Sequence, residues 1–334
     1  MESNTDVNVA EILEKGLRNF WYPVTPSYMV GAAPVGITRL CEEIVLWRDK
    51  DGSIRAIEDR CPHRGARLSL GWNLGDRIAC WYHGVEIDGQ GVVADVPAVE
   101  SCALTGKKCV KSYPAVEANG AVFLWFGDEI GTPVKPFSLP EEMTSEDYSG
   151  FLCMQNWACN HRYAIDNVMD LMHGRYLHAS SHSMADGDKR AEMAVRATDS
   201  GLMFEKIGQR GVNFDWVEFG KSATMWLRLS VPYKKRYGGG EFFIVGFVTP
   251  VDENHCQVYF WRIKHVSGVD RHIWRFLYRN RLESLHWDVL EQDRIVLETM
   301  SKNARAKENL YQHDVGLVRV RRLMEHEALQ QVSQ

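Results

Sequence analysis

The sequence predicts an α+β chain of two domains, and three observations carry that prediction. First, 334 residues that are 45% hydrophobic and 25% charged form an ordinary globular composition at a length that suggests roughly two domains and buries substantial cores. Second, the opening part reads as short strands divided by turn residues, whereas the remainder mixes helical and strand periods. Third, "GTPVKPFSLPEE" (Gly131 to Glu142) is Pro-rich and has no apolar period, so it reads as a linker between the two.

Taken in order, "GITRLCEEIVLWRD" alternates or runs apolar, and "KDG" turns it into "SIRAIEDRC", a hairpin signature. "GVEIDGQGVVADVPA" gives short strands around Asp88-Gly89 and Gly91. "YPAVEANGAVFLWFGD" repeats the pattern with Asn119-Gly120 as its turn. Such strands suggest a small antiparallel sandwich or barrel. Beyond the linker, "NWACNHRYAIDNVMDLMHGRYLHAS" has a helical pattern near Ile165, Val168, Met169 and Met172. Residues 183–195 are polar and read as a loop. Strands resume over about 196–265, with a hairpin about Asp252–Asn254. The stretch from Asp270 to Lys307 reads as a long helix or helix pair. No internal repeat or low-complexity tract interrupts the chain.

The formal net charge is -5 with no basic block, which argues against a nucleic-acid partner. The first residues lack a basic segment followed by an apolar one, and no apolar run approaches the roughly 18 residues that span a bilayer. The expectation is a cytoplasmic protein. Eight scattered cysteines are no disulfide framework. Cys41, Cys102, Cys153 and Cys256 are expected to be inert, and Cys109 and Cys159 have no histidine at convincing ligand spacing.

"CPHRGARLSLGWNLGDRIACWYHG" pairs Cys61 with His63 and Cys80 with His83. A structural zinc is one reading. Zinc fingers, however, usually pair Cys with Cys and His with His, while here each loop supplies one of each. A Rieske [2Fe–2S] cluster needs that arrangement, with two thiolates on one iron and two imidazoles on the other. Gly65 and Gly84 would let backbone N–H groups approach the sulfurs, and Pro62 would stiffen the first loop.

A second group lies in "DNVMDLMHGRYLH". On a helix Asp170 and His173 would lie about 60° apart, and His178 about 140° beyond His173. Both imidazoles reach one metal only if the helix ends or bulges between them, which Gly174 permits. Two His and one carboxylate form the facial triad of non-haem iron enzymes that use O2. His161 and His182 compete as ligands. The carboxylate is either Asp170 or the distant Asp293, which would share a face with Val289, Val296 and Met300. Asp293 could equally pair with a buried Arg, and Asp288 and Glu291 sit on more polar stripes. Trp216, Trp226, Phe243, Phe247 and Trp261 could line a pocket, although core packing is the better reading for most. "KKR" at 234–236 reads as a solvated run that could attract an acidic substrate.

Together these motifs resemble the Rieske non-haem iron oxygenases over nearly the whole chain. They are most like the short-chain branch of vanillate O-demethylase, dicamba O-demethylase and toluenesulfonate methyl-monooxygenase. "NFWYPV" is similar to the N-terminal segment of that branch, and "EQDRIVLE" to its late acidic stretch, with Gln292 as a small departure. The resemblance implies an all-β Rieske domain over 1–138, including an N-terminal helical segment. It implies a helix-grip-like catalytic domain over 139–334, an antiparallel sheet covered by helices. By the same resemblance Cys61, His63, Cys80 and His83 bind the cluster, and His173, His178 and Asp293 bind mononuclear Fe(II), demoting His161 and His182. Asp170 would bridge the cluster ligand His83 of one subunit to His173 of its neighbour in a homotrimer. No dinucleotide motif is present, so electrons from NAD(P)H would arrive through a separate reductase, with or without a ferredoxin. The implied reaction is O2-dependent hydroxylation or oxidative demethylation of a small aromatic compound, ahead of cis-dihydroxylation. The rivals are a Rieske electron carrier without catalytic iron and a zinc-binding interaction protein.

Overall fold

The computed structural model describes residues 4–127, 133–181, 187–211, 214–233 and 240–332. They form two compact units, Trp21–Val134 and Met1–Phe20 with Lys135–Gln334.

In the first unit, turn chemistry sets the strands. β1 (Phe20–Pro26) is followed by β2 (Val35–Arg39), β3 (Glu42–Arg48) and β4 (Ile54–Glu58), then by β5 (Trp72–Asn73), β6 (Arg77–Ala79), β7 (Glu86–Asp88) and β8 (Val93–Asp95), and last by β9 (Ala115–Ala118) and β10 (Ala121–Phe126). Among the described residues they make three antiparallel sheets, β1-β10-β9, β2-β3-β4 and β5-β6-β7-β8. The expected turn at Asn119-Gly120 is present, with φ of 51° and 77°, the left-handed pair that a tight hairpin uses. A further hairpin turn divides β2 from β3 at Leu40 and Cys41, also at positive φ (48° and 61°). Cys41 is therefore an exposed turn residue. The core gathers Val45, Trp47, Ile57, Leu68, Ile78 and Val93 around Cys61 and Cys80.

The second unit opens with α1 (Asn4–Lys15), then α2 (Glu141–Thr144), β11 (Tyr148–Trp157), α3 (His161–Met169) and α4 (His173–Leu177). A run of strands follows: β12 (Met193–Ala197), β13 (Gly201–Lys206), β14 (Trp216–Lys221), β15 (Met225–Tyr233), β16 (Gly240–Asp252) and β17 (His255–His265). The chain ends in α5 (Gly268–Leu277), a π-helical turn over Tyr278–Leu282, α6 (Glu283–Glu298) and α7 (Val315–Val332). The strands build one antiparallel sheet ordered β11-β17-β16-β15-β14-β13-β12. Helix α3 packs on β16 and β17, and α6 on α3 and β11. Trp157, Trp261, Tyr259, Phe247 and Phe219 are fully buried in this unit. The late helices thus form a near-continuous α5–α6 rod, with α7 added after a gap of short turns.

The N-terminal helical segment belongs with this second unit rather than with the β-rich one. Helix α1 packs on α7, and Gln331 ties Arg18 through both its N–H and its C=O (3.0 and 2.8 Å). Asn160, the N-cap of α3, donates to the Glu14 carbonyl at 2.9 Å. Gln331 lies 313 residues beyond Arg18 and Asn160 146 beyond Glu14, both out of reach of local sequence patterns.

Candidate metal centre

The two Cys/His loops share one backbone design. Cys61 N–H donates to Ala66 C=O (2.8 Å) and Cys80 N–H to Val85 C=O (2.8 Å). Gly65 N–H returns to Cys61 C=O and Gly84 N–H to Cys80 C=O, both at 2.9 Å. Each loop closes with that glycine at positive φ, 77° and 73°, where a side chain would be strained. Both sulfurs are buried, whereas His63 and His83 are exposed with ring centroids 4.7 Å apart. Burial pushes the Cys61 thiol up to about 11, with the neighbouring Cys80 thiol adding to it and the His63 and Arg64 N–H groups opposing it. Thiolates there require a metal's charge.

His173 and His178 flank α4. The helical run breaks after Met169, and Asp170 caps α3 in extended conformation (φ -85°, ψ 105°). Asp170 and His173 therefore do not share a helix face as a continuous helix would require. Asp170 Oδ1 accepts from Met172 N–H (2.8 Å), and its carbonyl accepts from His173 Nδ1 (2.5 Å). His178 caps the C-terminus of α4, and its Nδ1 meets Gln292 Oε1 at 2.8 Å. With both Nδ1 atoms committed, each imidazole turns Nε2 inward. Asp293 Oδ1 lies 3.5 Å from His173 Nε2 and 3.3 Å from His178 Nε2. Burial opposes a proton on His178, but its contacts with Asp293 and Gln292 outweigh that and raise its pKa.

On α6 the buried stripe is His286, Leu290, Asp293 and Leu297. The expected companions Val296 and Met300 are exposed at 36% and 43%, so Asp293 lies one stripe over from that assignment. Asp288 is exposed, and Glu291 pairs with Arg294 and accepts from Gln155. No Arg lies within ion-pair distance of Asp293 among the described residues; its neighbours are the two imidazoles. His161 is buried at the start of α3 with neither ring nitrogen bonded and is no part of this group. His182 and the 234–236 run lie outside the described residues.

Over the triad sits a small cavity of about 50 Å³. Its walls are Val168, Phe214, Leu229, Ile244, Phe260, Val289 and Leu290, with Asn167 and Arg262 as further polar members. Of the five aromatic residues singled out from sequence, Trp216, Trp226, Phe247 and Trp261 are buried in the fold, and none of the five lines this cavity. Gly246 makes room for Phe260, since a Cβ there would stand 2.5 Å from its ring.

Two family models match the chain, the Rieske [2Fe-2S] domain over 20–114 and the vanillate O-demethylase oxygenase C-terminal domain over 157–330. The chain belongs to the Rieske oxygenases of vanillate O-demethylase type. It is 36% identical over 174 residues to the vanillate O-demethylase oxygenase subunit of Pseudomonas sp. (strain HR199 / DSM 7063), a match covering 52% of this chain and 48% of that protein. The matched stretches span about half the length of such curated relatives. The oxygenase of a carbazole 1,9a-dioxygenase oxygenase–ferredoxin complex shares the fold at TM-score 0.78 and 21% identity, covering 96% of this chain and 95% of that one. Dicamba monooxygenase bound to dicamba does so at TM-score 0.75 and 24% identity, covering 95% and 99%.

The donor sets fit the two iron groups that Rieske oxygenases carry. Among the described residues, the group of three or more His, Cys, Asp or Glu with all ligand atoms within 4.8 Å of one another is His173, His178 and Asp293. His178 Nε2 and Asp293 Oδ1 are buried without a hydrogen-bond partner, a costly state that a bound cation relieves. Cys61, His63, Cys80 and His83 do not converge that closely. A tetrahedral zinc holds its ligand atoms less than about 4 Å apart, so their spread favours a two-iron cluster. Sequence reading passed over Arg262, Asn167, Phe214 and Phe260. The one available signal was Arg262, a charge directly after the apolar run "VYFW".

Proposed function

We propose that this chain is the oxygenase component of a multicomponent Rieske system, acting on a small aromatic compound by O2-dependent hydroxylation or oxidative demethylation. The observation that carries this reading is the convergence of His173, His178 and Asp293 beneath an apolar cavity. The assignment gives the [2Fe–2S] cluster to Cys61, His63, Cys80 and His83, and mononuclear iron to the triad. When bound, the cluster supplies single electrons and the iron supplies O2 chemistry. The chain's own residues position and shield. The Asp170 carbonyl and the Gln292 side chain fix which nitrogen each imidazole presents. Phe214, Leu229, Ile244 and Phe260 exclude water and hold an aromatic ring. Asp170 is assigned to link His173 to His83 of a neighbouring copy, in a homotrimer fed by NAD(P)H through a separate reductase. The ferredoxin bound in the carbazole dioxygenase complex supports a ferredoxin as an intermediate carrier.

The test is turnover with a surrogate NADH reductase and ferredoxin on methoxy- and methyl-substituted aromatics. The expected products are formaldehyde with an unlabelled phenol from a methoxy group, or, from a methyl group, an alcohol carrying label from ¹⁸O2. A vicinal cis-diol as sole product contradicts the proposed reaction. No O2-dependent product on any substrate favours an electron carrier.

A further inference from the structure

A second hollow, of about 410 Å³, lies in the sheet-plus-helix unit and shares no lining residue with the cavity over the triad. Helices α1, α3 and α7 and the turn over Ala304–Lys307 enclose it, and four cations line it: Arg162, Lys302, Arg305 and Arg321. They are not equally paired. Arg321 is fully engaged, meeting Asp166 at 2.6 Å and both oxygens of Glu308. Arg305 reaches only the same Asp166, at 3.4 Å, although its side chain is 19% exposed. The nearest carboxylate to Arg162 is Glu14 at 3.7 Å, and its Nε rests on the neutral Asn160 at 3.0 Å. Lys302 is exposed and has no ion-pair partner among the described residues. The other partly buried arginines of this unit are better served: Arg228 meets Glu142 and Glu218 at 2.7 Å each, and Arg294 holds Glu291 and Glu298.

Carboxylates also line the hollow, but they do not cover these two guanidinia. Glu308 is taken by Arg321, and Glu14 and Glu325 are exposed to solvent. One buried carboxylate, Asp166, therefore serves two arginines. A guanidinium cannot shed its proton to escape such a place. Burial lowers the pKa of Arg305, Asp166 opposes that, and Arg321 and Arg162 add to it. His161, next to Arg162 in the chain, is buried with neither ring nitrogen bonded. A neutral imidazole thus stands where a carboxylate would have paired the arginines.

We infer that this hollow binds a phosphate group, free or carried on a small ester, held by Arg305 and Arg162 with Lys302 as the third cation. A tetrahedral phosphate brings several oxygens and up to two charges, so it accepts from two guanidinium forks and an ammonium together. A carboxylate, with two oxygens and one charge, satisfies one fork. The volume exceeds that of a single phosphate and falls in the roughly 300–1,000 Å³ range of small-molecule pockets, with Leu13 and Met324 as apolar wall. The inference does not rest on the oxygenase reading.

The test is titration calorimetry on the iron-loaded protein, at an ionic strength fixed with chloride. The probes are inorganic phosphate, ribose 5-phosphate and ribose. Both phosphates are expected to bind with Kd of about 1 mM or tighter, and ribose not at all. Arg305→Met should weaken both at least about tenfold, the loss of a charge-assisted pair. Lys302→Glu alters an exposed, unpaired side chain, so it covers the case where the Arg305 variant does not fold; it too should weaken both about tenfold or more. Ribose 5-phosphate binding more tightly than phosphate identifies an ester as the occupant, and equal affinity identifies free phosphate. No saturable binding of either below about 10 mM overturns the inference. So does wild-type affinity in the folded variants, the result expected if phosphate sits on the iron instead.

Discussion

Gln292 and the Asp170 carbonyl decide which nitrogen His178 and His173 offer. Replacing Gln292 with Leu removes the acceptor for His178 Nδ1 and frees the ring to turn. Affinity for the mononuclear iron should fall on the order of 10- to 100-fold, read by chelator competition, while the cluster spectrum stays intact. An unchanged affinity would leave Gln292 without the role given to it. Asp170→Asn keeps an oxygen to cap Met172 N–H and keeps the carbonyl, so both metal groups should remain bound. Turnover should nearly vanish if its carboxylate carries electrons between copies, and normal turnover would refute that link. His161 gives a pH signature of its own. Complete burial, with Arg162 and Arg305 adding to it, lowers its pKa from 6.5 to about 3. Below about pH 6.5 the unfolded chain takes up a proton that the folded chain refuses. Stability is therefore lost as pH falls from about 6.5 towards 3, by roughly 1.4 kcal/mol per unit for one group. The urea midpoint of wild type should fall relative to that of His161→Leu on acidification between pH 6.5 and 5; parallel curves would exclude His161 as the cause. At this scale the Cys/His spacings were legible because local covalent spacing alone brings each pair together. The under-paired guanidinia of Arg162 and Arg305 were not. Whether a buried donor is satisfied depends on atoms from other strands and helices.

Among the elements, the two cluster loops are the most legible, since glycine at positive φ after each histidine is written into "PHRG" and "YHG". Gly84→Ala has room for its methyl, with Pro97 atoms 3.8 Å away or more. It therefore suffers mainly the left-handed backbone cost of about 1–2 kcal/mol. The expected outcome is a folded protein with partial loss of the visible chromophore, measured as absorbance per chain. Gly246→Ala is a different case, because its Cβ meets the Phe260 ring at 2.5 Å. Phe260 must shift, so ligand binding in the cavity should weaken while the chromophore is untouched. Other elements were hidden for physical reasons. The β2–β3 turn uses Leu40 and Cys41 in place of Gly or Asn, the residues that usually mark such turns. The break before His173 follows from Asp170 bonding the Met172 N–H and so offering the backbone a non-helical alternative. The stripe on α6 was misplaced by one because Val289 and Val296 are no more apolar than the Leu290 and Leu297 that are buried.

For the molecule as a whole, the division into a β-rich unit and a sheet-plus-helix unit was readable from the Pro-rich stretch and the change of period. The return of α1 to α7 was not, because only tertiary packing decides it. Among the described residues no helix is long and apolar enough to cross a membrane. On the proposed assignment the two units would hold chemically separable iron groups. A hard chelator should strip the triad, whose ligands open onto a cavity, before the cluster, whose thiols are buried. The chelated protein should keep its red-brown colour and lose all O2-dependent turnover. The decisive measurement is iron and acid-labile sulfide per chain, for wild type and for His173→Ala. Three irons and two sulfides falling to two and two are expected. Two irons in both proteins, or zinc without sulfide, would contradict an oxygenase with its catalytic iron on His173, His178 and Asp293.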